Sequence, residues 1–224
     1  MTNSKLIAYL GPPGTYSQQV SCYCAYFGKT PSGHYEYVPL NTIEDCFAAV
    51  QDGTAAYVVV PFSNSSNGPV KFTYDLLRTT EPRPSIIGET QVKVEHYVLA
   101  APATLLRIKQ GGEDAVRTVY SHPQVWGQCT RYLTSHFSNA TRISVDSTAY
   151  AATLAEKEGN AVAIASIAAA DIFHVEVYAA EVQDNQDNYT RFLVMEQYVN
   201  GAERTELDQS VDMELVRWDR VTAA

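Results

Sequence analysis

The residues best suited to chemistry lie together near the C-terminal end of the chain, where a polar run meets an apolar one. Asn188, Thr190 and Arg191 follow five consecutive polar residues (183–187) and lead into the apolar stretch Phe192–Met195. An amide, a hydroxyl and a guanidinium in this position can bind a polar or anionic small molecule, because ligand sites of α/β proteins lie outside the ends of buried strands. A solvated polar turn that enters a strand has the same composition, so this segment alone does not decide between the two.

Three other segments repeat the pattern of an apolar strand, a polar turn and a helix. They are Gly11–Ser17, Val58–Val70 and Tyr120–Cys129. In the first, the glycines let the backbone turn sharply, and Thr15 or Ser17 could cap a following helix, whose N-terminus is suited to an anion. Four such turns would open at one edge of a sheet, which favours a shared ligand site over four unrelated turns.

The sequence predicts strands and helices that alternate along the chain. The predicted strands and extended segments are Leu6–Leu10, Ala56–Pro61, Glu89–Ala100, Val116–Tyr120, Arg142–Val145, Ala161–Ala165, Val175–Ala180 and Phe192–Gln197. The predicted helices are Thr15–Phe27, Ile43–Gln51 with a cap at Asn41 or Thr42, Val70–Thr79, Pro123–Phe137, Ser147–Glu158 and Ser166–Ile172. The segment before Leu40 is predicted as a loop, and 203–220 fits a helix or a strand. Repeated strand–helix units predict an α/β fold with mostly parallel sheet.

Composition and charge narrow the class of protein. The chain has 224 residues, of which 46% are hydrophobic, enough for one domain or two small lobes with a core. Its net charge of −9 argues against nucleic acid and anionic membranes as partners, because both require a basic face. An anionic small substrate is still possible, bound by helix N-termini, backbone amides and an arginine. Because no apolar run is long enough to span a bilayer and no signal segment opens the chain, we expect a cytoplasmic protein.

The four cysteines predict no metal site. Cys22, Cys24, Cys46 and Cys129 lack the ligand spacing of zinc sites, and the first two point apart on a predicted helix. Reduced and mostly buried thiols are the expectation.

Seven segments, in order, resemble the motifs of the prephenate dehydratase family. They are GPPGTYS (11–17), VVPFSNSSNGPV (59–70), HYVLA (96–100), SHPQVWGQC (121–129), DSTAYAA (146–152), AIAS (163–166) and NYTRF (188–192). Because these matches span nearly the whole chain, from Gly11 to Phe192, the sequence is identified as a member of that family. As a whole, the sequence resembles fungal members of the family more than bacterial ones.

The resemblance implies a specific architecture. It comprises two lobes of mixed, mostly parallel sheet with flanking helices, like type II periplasmic binding proteins, with the active site in the cleft between the lobes. We expect lobe one to be 1–92 plus 183–224 and lobe two to be 95–180, with crossings near Val92–His96 and Tyr178–Gln183. Because members of the family tend to be oligomers, the resemblance also implies a homo-oligomer, and we expect a dimer.

The resemblance also implies a reaction, the loss of water and carbon dioxide from prephenate to give phenylpyruvate, with no metal or organic cofactor. Thr190 matches the catalytic threonine and is expected to donate or relay a hydrogen bond to the departing oxygen, while Asn64 and Gln128 match amides of the site. Arg191 is expected either to pair with a substrate carboxylate or to brace its own loop. Further substrate contacts are expected from Thr15, Ser65, Gly68, Ser121, Asp146, Ser147 and Thr148. For Ser147, a helix cap is the alternative.

Two departures from the family pattern bear on function. The family reads Pro-x-Glu-Asn-Ser where this chain has Pro61-Phe-Ser-Asn-Ser65, so the neutral Ser63 stands in place of a glutamate. Only 224 − 192 = 32 residues follow Phe192, too few for the C-terminal phenylalanine-binding domain common in the family, so feedback through that domain is not expected.

These departures leave two alternatives to a prephenate dehydratase. One is a repurposed paralogue in secondary metabolism that catalyses a dehydration, cyclisation or rearrangement. The other is a non-catalytic protein that binds an aromatic acid, although a pure binder would have no reason to retain Thr190. The sequence does not separate prephenate from arogenate as the substrate.

Overall fold

The computed structural model describes residues 5–26, 35–199 and 205–211 of the chain. They belong to two compact units. The first is drawn from Met1–Gly11, Ser17–Val92 and Tyr189–Ala224, and the second from Pro12–Tyr16 and Lys93–Asn188. Two segments that the sequence placed in lobe one, 12–16 and 183–188, group with the second unit.

Strands and helices alternate along most of the described chain. The strands are β1 (Lys5–Leu10), β2 (Tyr35–Leu40), β3 (Tyr57–Asn64), β4 (Gly68–Pro69), β5 (Ser85–Lys93), β6 (Tyr97–Ala100), β7 (Thr118–Ser121), β8 (Thr141–Ser144), β9 (Ala161–Ala165), β10 (Glu176–Ala179) and β11 (Tyr189–Glu196). The helices are α1 (Tyr16–Tyr26), α2 (Ile43–Gln51), α3 (Lys71–Thr79), α4 (Pro102–Gly111), α5 (Pro123–Gln128), α6 (Thr130–His136), α7 (Thr148–Lys157) and α8 (Ala168–Ile172), with a 3-10 turn at Glu113–Ala115. Residues 206–211 are also helical, and the rest of the unplaced segment 203–220 lies outside the described residues.

The first unit is built on a mixed sheet in the order β2-β1-β3-β11-β5, with the short β4 also paired to β3. β1 is parallel to β2 and β3, whereas β11 is antiparallel to β3. Tyr57–Val60 of β3 is buried without alternation, as expected for a strand covered on both faces. α2 and α3 supply Phe47 and Tyr74 to the core, and Tyr74 stacks on Phe62 at a centroid distance of 4.3 Å.

The start of α2 shows how local sequence fixes an element. Thr42 accepts a hydrogen bond from the Asp45 amide, and the Asp45 carboxylate accepts one from the Thr42 amide. This capping box confirms Thr42 rather than Asn41 as the cap, and it places two acidic residues, Glu44 and Asp45, at the positive end of the helix dipole.

The second unit contains a mixed sheet in the order β10-β6-β9-β7-β8. β7 is parallel to β8 and β9, and β6 is antiparallel to β9 and β10. β9 is buried at every position. One face of this sheet packs against alanines of α7, including Ala151, Ala152 and Ala155. Side chains this small let helix and sheet approach closely and give a dense core.

Several predicted elements needed correction. The predicted loop before Leu40 contains β2, a half-buried edge strand in which Pro39 is tolerated because an edge residue need not donate to a neighbour. Helix α4 was missed, although Pro102 at its start is a helix-initiating signal. The single helix predicted over Pro123–Phe137 is broken at Cys129, whose φ of −126° and ψ of 29° are not helical. In the described part of the chain, no helix has the length and apolarity needed to cross a bilayer.

Candidate active site

Thr190 and Asn64, two of the predicted catalytic residues, lie side by side in the first unit. They are directly opposed where β11 runs antiparallel to β3. Because β11 begins at Tyr189 and β3 ends at Asn64, the antiparallel order brings the start of one strand beside the end of the other. Two motifs that are 126 positions apart in the sequence therefore meet. The group Asn64, Ser65, Glu89, Thr190 and Arg191 is called the first polar cluster below.

The amide of Asn64 is held in one orientation. Its Oδ1 accepts hydrogen bonds from the backbone amides of Ser66 (3.0 Å) and Asn67 (2.9 Å). Two fixed N–H donors identify this atom as the oxygen, so the NH₂ group must face the other way. There Nδ2 donates to Thr190 Oγ1 at 3.0 Å and to the Tyr189 carbonyl at 3.1 Å.

The Thr190 hydroxyl is consequently placed to act as a donor. Its oxygen accepts from Asn64, and across residues 5–26, 35–199 and 205–211 no acceptor for its proton is seen. The side chain is only partly buried, so a ligand can reach it. A hydroxyl that accepts one hydrogen bond becomes a stronger donor in the next, which suits a contact to an oxygen that gains negative charge.

Ser65 and Gly68 shape the turn that follows β3. The Ser65 hydroxyl accepts from the Tyr189 amide at 2.9 Å, and the Ser65 amide donates to the Tyr189 carbonyl at 2.9 Å, so the turn is fastened to the start of β11. Gly68 has φ of +77°, a conformation that strains other residues, although a Cβ there would meet open space. The glycine is needed for its backbone conformation and not for room.

Arg191 is paired within its own unit. Its Nε donates to Glu89 Oε2 at 2.6 Å, a terminal nitrogen also bonds the same carboxylate, and the guanidinium carbon lies 5.1 Å from the centre of the Phe62 ring. The side chain is 16% exposed. These contacts favour the bracing alternative over a carboxylate-binding role, because the charge of Arg191 already has a partner.

Ser63, which replaces the family glutamate, lies opposite Arg191 in the pairing of β3 with β11. Beyond it the register shifts, so that Phe192 pairs with Pro61. Glu89, the carboxylate that Arg191 does have, comes from β5, the neighbour of β11 on its other side. Arg191 is therefore neutralised by an acidic residue although Ser63 is neutral.

Gln128, the predicted site amide of the second unit, ends α5 and contacts a histidine to which the sequence assigned no role. His96 Nε2 lies 2.6 Å from Gln128 Oε1, and His96 is 2% exposed. Burial lowers the pKa of His96, so the ring is neutral at neutral pH. Its place in a matched motif, directly before a buried strand, was the available signal.

The remaining predicted contacts all belong to the second unit, and the structure gives Ser121 and Ser147 structural roles. Ser121 is fully buried and its hydroxyl donates to the Ile164 carbonyl at 2.7 Å, so a direct substrate contact is not supported. Ser147 caps α7 by accepting from the Tyr150 amide at 3.0 Å, which confirms the capping alternative. Asp146 is exposed, and Thr15 and Thr148 are partly buried. Substrate contacts of these three residues stay predictions.

Two thiols are poorly suited to chemistry. Burial raises the pKa of the Cys46 and Cys129 thiols to about 12, so both are protonated near neutral pH and neither is a nucleophile or a ready metal ligand. Cys46 and Cys129 are buried, as expected, whereas Cys22 is exposed, and the burial of Cys24 lies outside what the structure describes. Within the described residues, no group of three or more histidine, cysteine, aspartate or glutamate side chains could hold a metal ion.

Comparison with known proteins identifies sequence relatives over most of the chain. A family model described as prephenate dehydratase matches residues 7–199. The bifunctional chorismate mutase/prephenate dehydratase of Neisseria gonorrhoeae is 38% identical over 198 residues, covering 88% of this chain and 51% of that protein. Arogenate dehydratase 1 of Petunia hybrida is 34% identical over 191 residues, covering 84% of this chain and 41% of that protein. The chain spans about half the length of these curated relatives.

A solved structure supports the same fold. Prephenate dehydratase of Arthrobacter aurescens, determined in complex with L-Phe, superposes with a TM-score of 0.71 and 25% identity, covering 89% of this chain and 62% of that one. The α/β architecture implied by the motifs is confirmed, with mixed sheets in both units. The prediction that the sheets are mostly parallel is wrong: β1 pairs in parallel with β2 and β3, and β7 with β8 and β9, but β3 is antiparallel to β4 and β11, and β6 to β9 and β10.

Proposed function

Because the chain belongs to the prephenate dehydratase family, we propose that it catalyses the conversion of prephenate to phenylpyruvate, a step in phenylalanine synthesis. The observation that carries this proposal is the hydrogen bond from Asn64 to Thr190, which leaves the threonine hydroxyl with its proton to offer. A catalyst for this reaction requires a donor of that kind at the departing oxygen.

The reaction breaks two bonds at opposite positions of the prephenate ring. The carbon–carbon bond between the ring and its carboxylate breaks, and carbon dioxide leaves. The electron pair of the broken bond enters the ring. The carbon–oxygen bond across the ring then breaks, and the departing hydroxide takes one proton to become water. The ring becomes aromatic, which supplies the driving force.

Thr190 is proposed to contact the departing oxygen. A threonine hydroxyl is too weak an acid to give up its proton alone, so it donates a hydrogen bond while the proton that completes the water comes from solvent or through the hydroxyl as a relay. Asn64 fixes the donor geometry before the substrate arrives, and this preorganisation avoids the cost of orienting a dipole during the reaction.

The charges of the first polar cluster fit loss of a carboxylate. Arg191 is neutralised by Glu89, and the other side chains of the cluster are neutral. A strong unpaired cation beside the ring carboxylate would stabilise the charge that has to move into the ring, and so would stabilise the ground state more than the transition state. Neutral hydrogen-bond donors position a carboxylate with less of this penalty.

Arogenate is the alternative substrate, because the Petunia relative carries that name and arogenate differs only by an amine in place of the ketone. A repurposed enzyme is a second alternative, which rests on Ser63. An aromatic-acid binder without activity is the third. That residues of both units act on one substrate molecule stays a prediction, as do the dimer and the cytoplasmic location.

The test is turnover of the purified protein with prephenate and, separately, with arogenate. Phenylpyruvate is read as its enol absorbance in alkali, phenylalanine by chromatography, and both are compared with spontaneous loss in enzyme-free samples. We expect turnover of prephenate well above the spontaneous rate. Turnover of arogenate alone would change the substrate, and turnover of neither, with saturable binding by calorimetry, would establish a binding protein.

A further inference from the structure

We propose that His96 is a positioning residue that fixes the orientation of the Gln128 amide, with the segment Val182–Asp184 holding both residues in place. The proposal rests on the proposed function in one respect, namely that Gln128 acts in the reaction. The orientation itself is a property of the second unit and can be measured without any substrate.

The contact between the two side chains defines which way the amide points. The 2.6 Å contact joins His96 Nε2 to the oxygen of Gln128, so the ring must carry its hydrogen on Nε2. A buried, neutral imidazole has one N–H, and His96 Nδ1 is buried with no hydrogen-bond partner among the described residues. With Oε1 held, the NH₂ of Gln128 faces away from the ring, where no acceptor is seen in the described chain.

The backbones of both residues are pinned by one short segment. The His96 amide donates to Gln183 Oε1 at 2.9 Å, and the His96 carbonyl accepts from the Val182 amide at 2.9 Å. Two residues later the Asp184 amide donates to the Gln128 carbonyl at 2.6 Å. A single stretch of three residues therefore sets the distance between His96 and Gln128.

Asp184 also anchors the helix that follows Gln128. Its carboxylate accepts from the amides of Thr130 (3.0 Å) and Arg131 (3.1 Å), the first residues of α6. A carboxylate at a helix start satisfies amides that lack partners inside the helix. This explains the break at Cys129, because α6 is restarted by Asp184 and α5 is free to end at Gln128.

Gln183 is itself fixed. It is 5% exposed, and its Nε2 donates to Gln186 Oε1 at 2.8 Å. The polar run 183–187, which the sequence explains only as a loop, thus has a specific task in the second unit.

The first measurement is nitrogen NMR of the wild type and of two His96 variants, isotope-labelled at histidine and glutamine. The expected result is a neutral His96 ring with its hydrogen on Nε2, and a Gln128 NH₂ resonance that shifts in His96→Leu and is largely restored in His96→Gln, which returns a donor near the Nε2 position. A hydrogen on Nδ1, or an unmoved Gln128 resonance, would overturn the proposal whether or not the protein turns over prephenate.

The second measurement is a double-mutant cycle on turnover. His96→Leu is expected to lower kcat by about tenfold in the wild-type background and to have little further effect in Gln128→Leu, because interacting residues are non-additive. His96→Gln should recover most of the loss. Equal factors in both backgrounds would show that His96 does not act through Gln128 and would overturn the proposal. His136→Leu removes a surface histidine bonded to Glu113 and serves as the control with unchanged kcat. An inactive wild type would reject the proposed function and leave the NMR result to decide the positioning role.

Discussion

The side-chain amide of Asn64 donates a hydrogen bond to the hydroxyl oxygen of Thr190 at 3.0 Å, across two antiparallel strands. The direction of this bond matters more than its length. With the oxygen of Thr190 accepting, its proton is directed at a ligand. An Asn64 amide turned the other way would take that proton and leave nothing for the departing oxygen.

Replacements of Thr190 should distinguish the contribution of its hydroxyl to kcat from the contribution of its branched shape. We expect Thr190→Val, which keeps the branched shape, to lower kcat by roughly two to four orders of magnitude, the range for loss of a transition-state donor. Thr190→Ser should retain a large part of the activity. Thr79→Ala changes an exposed threonine whose hydroxyl donates to the Asp75 carbonyl of its own helix, and this control should match the wild type. Equal kcat for the valine variant and the wild type would rule out a role for the hydroxyl.

Replacement of Asn64 by aspartate should reverse the hydrogen bond without opening the turn. A carboxylate can still accept from the Ser66 and Asn67 amides, but it has no N–H for Thr190 and accepts the threonine proton instead. We expect kcat to fall about as far as in Thr190→Val, with little change in melting temperature. Asn67→Asp makes the same charge change at an exposed neighbour and should remain active. If Asn64→Asp kept full activity, the proposed donor direction would be wrong.

The strands that carry the first polar cluster could be predicted because their signals are local. The apolar run that precedes Ser63 and Asn64 and the one that begins after Arg191 are visible without any tertiary information. A cap at Asn41 or Thr42 is visible in the same way, and the structure selects Thr42. The pairing of β11 with β3 could not be predicted in the same way. It joins residues 126 positions apart, and no local pattern specifies such a partner.

The contacts of Arg191 and His96 could not be predicted from residue type alone. The sequence left Arg191 open between a substrate carboxylate and a brace, because a guanidinium suits both. Its partner Glu89 lies on a different strand, 102 positions away. His96 was passed over because the sequence carries no sign that Gln128 would lie 2.6 Å from it.

Loss of the Glu89 charge should reduce stability more than activity. In Glu89→Gln the partly buried guanidinium of Arg191 faces a neutral acceptor in place of the carboxylate. We expect the free energy of unfolding to fall by about 1 kcal/mol, a modest value because the glutamate side chain is 38% exposed. Glu81→Gln makes the same carboxylate-to-amide change at an exposed glutamate of the same unit and should leave stability unchanged. Urea denaturation, kcat and KM are measured on the wild type and on the Glu89→Gln, Glu81→Gln and Arg191→Gln variants. If Arg191→Gln raised KM without lowering stability, Arg191 would instead belong to a substrate carboxylate.

The cap at Ser147 can be tested apart from any substrate contact. Ser147→Ala removes the acceptor for the Tyr150 amide and should lower the free energy of unfolding by about 1 kcal/mol. Ser147→Asn keeps a capping side chain and should restore the stability. KM should stay at the wild-type value in both variants if capping is the only role. A raised KM in both, with stability retained in the asparagine variant, would show that the hydroxyl also contacts the substrate.

Ser63→Glu tests whether the missing carboxylate limits this enzyme. The new side chain would lie opposite Arg191 in the strand pairing, on the far side from Glu89, so the arginine could be shared between two carboxylates. If the family glutamate supplies or tunes a proton, we expect prephenate turnover to rise by about a hundredfold, the lower end of the range for general acid catalysis. Ser66→Glu adds the same charge at an exposed position of the adjacent turn and should not raise turnover. No gain from Ser63→Glu, in a wild type that already turns over prephenate well, would remove the reason to regard the chain as repurposed. A gain from near-background activity would instead show that Ser63 had diverted the site from prephenate.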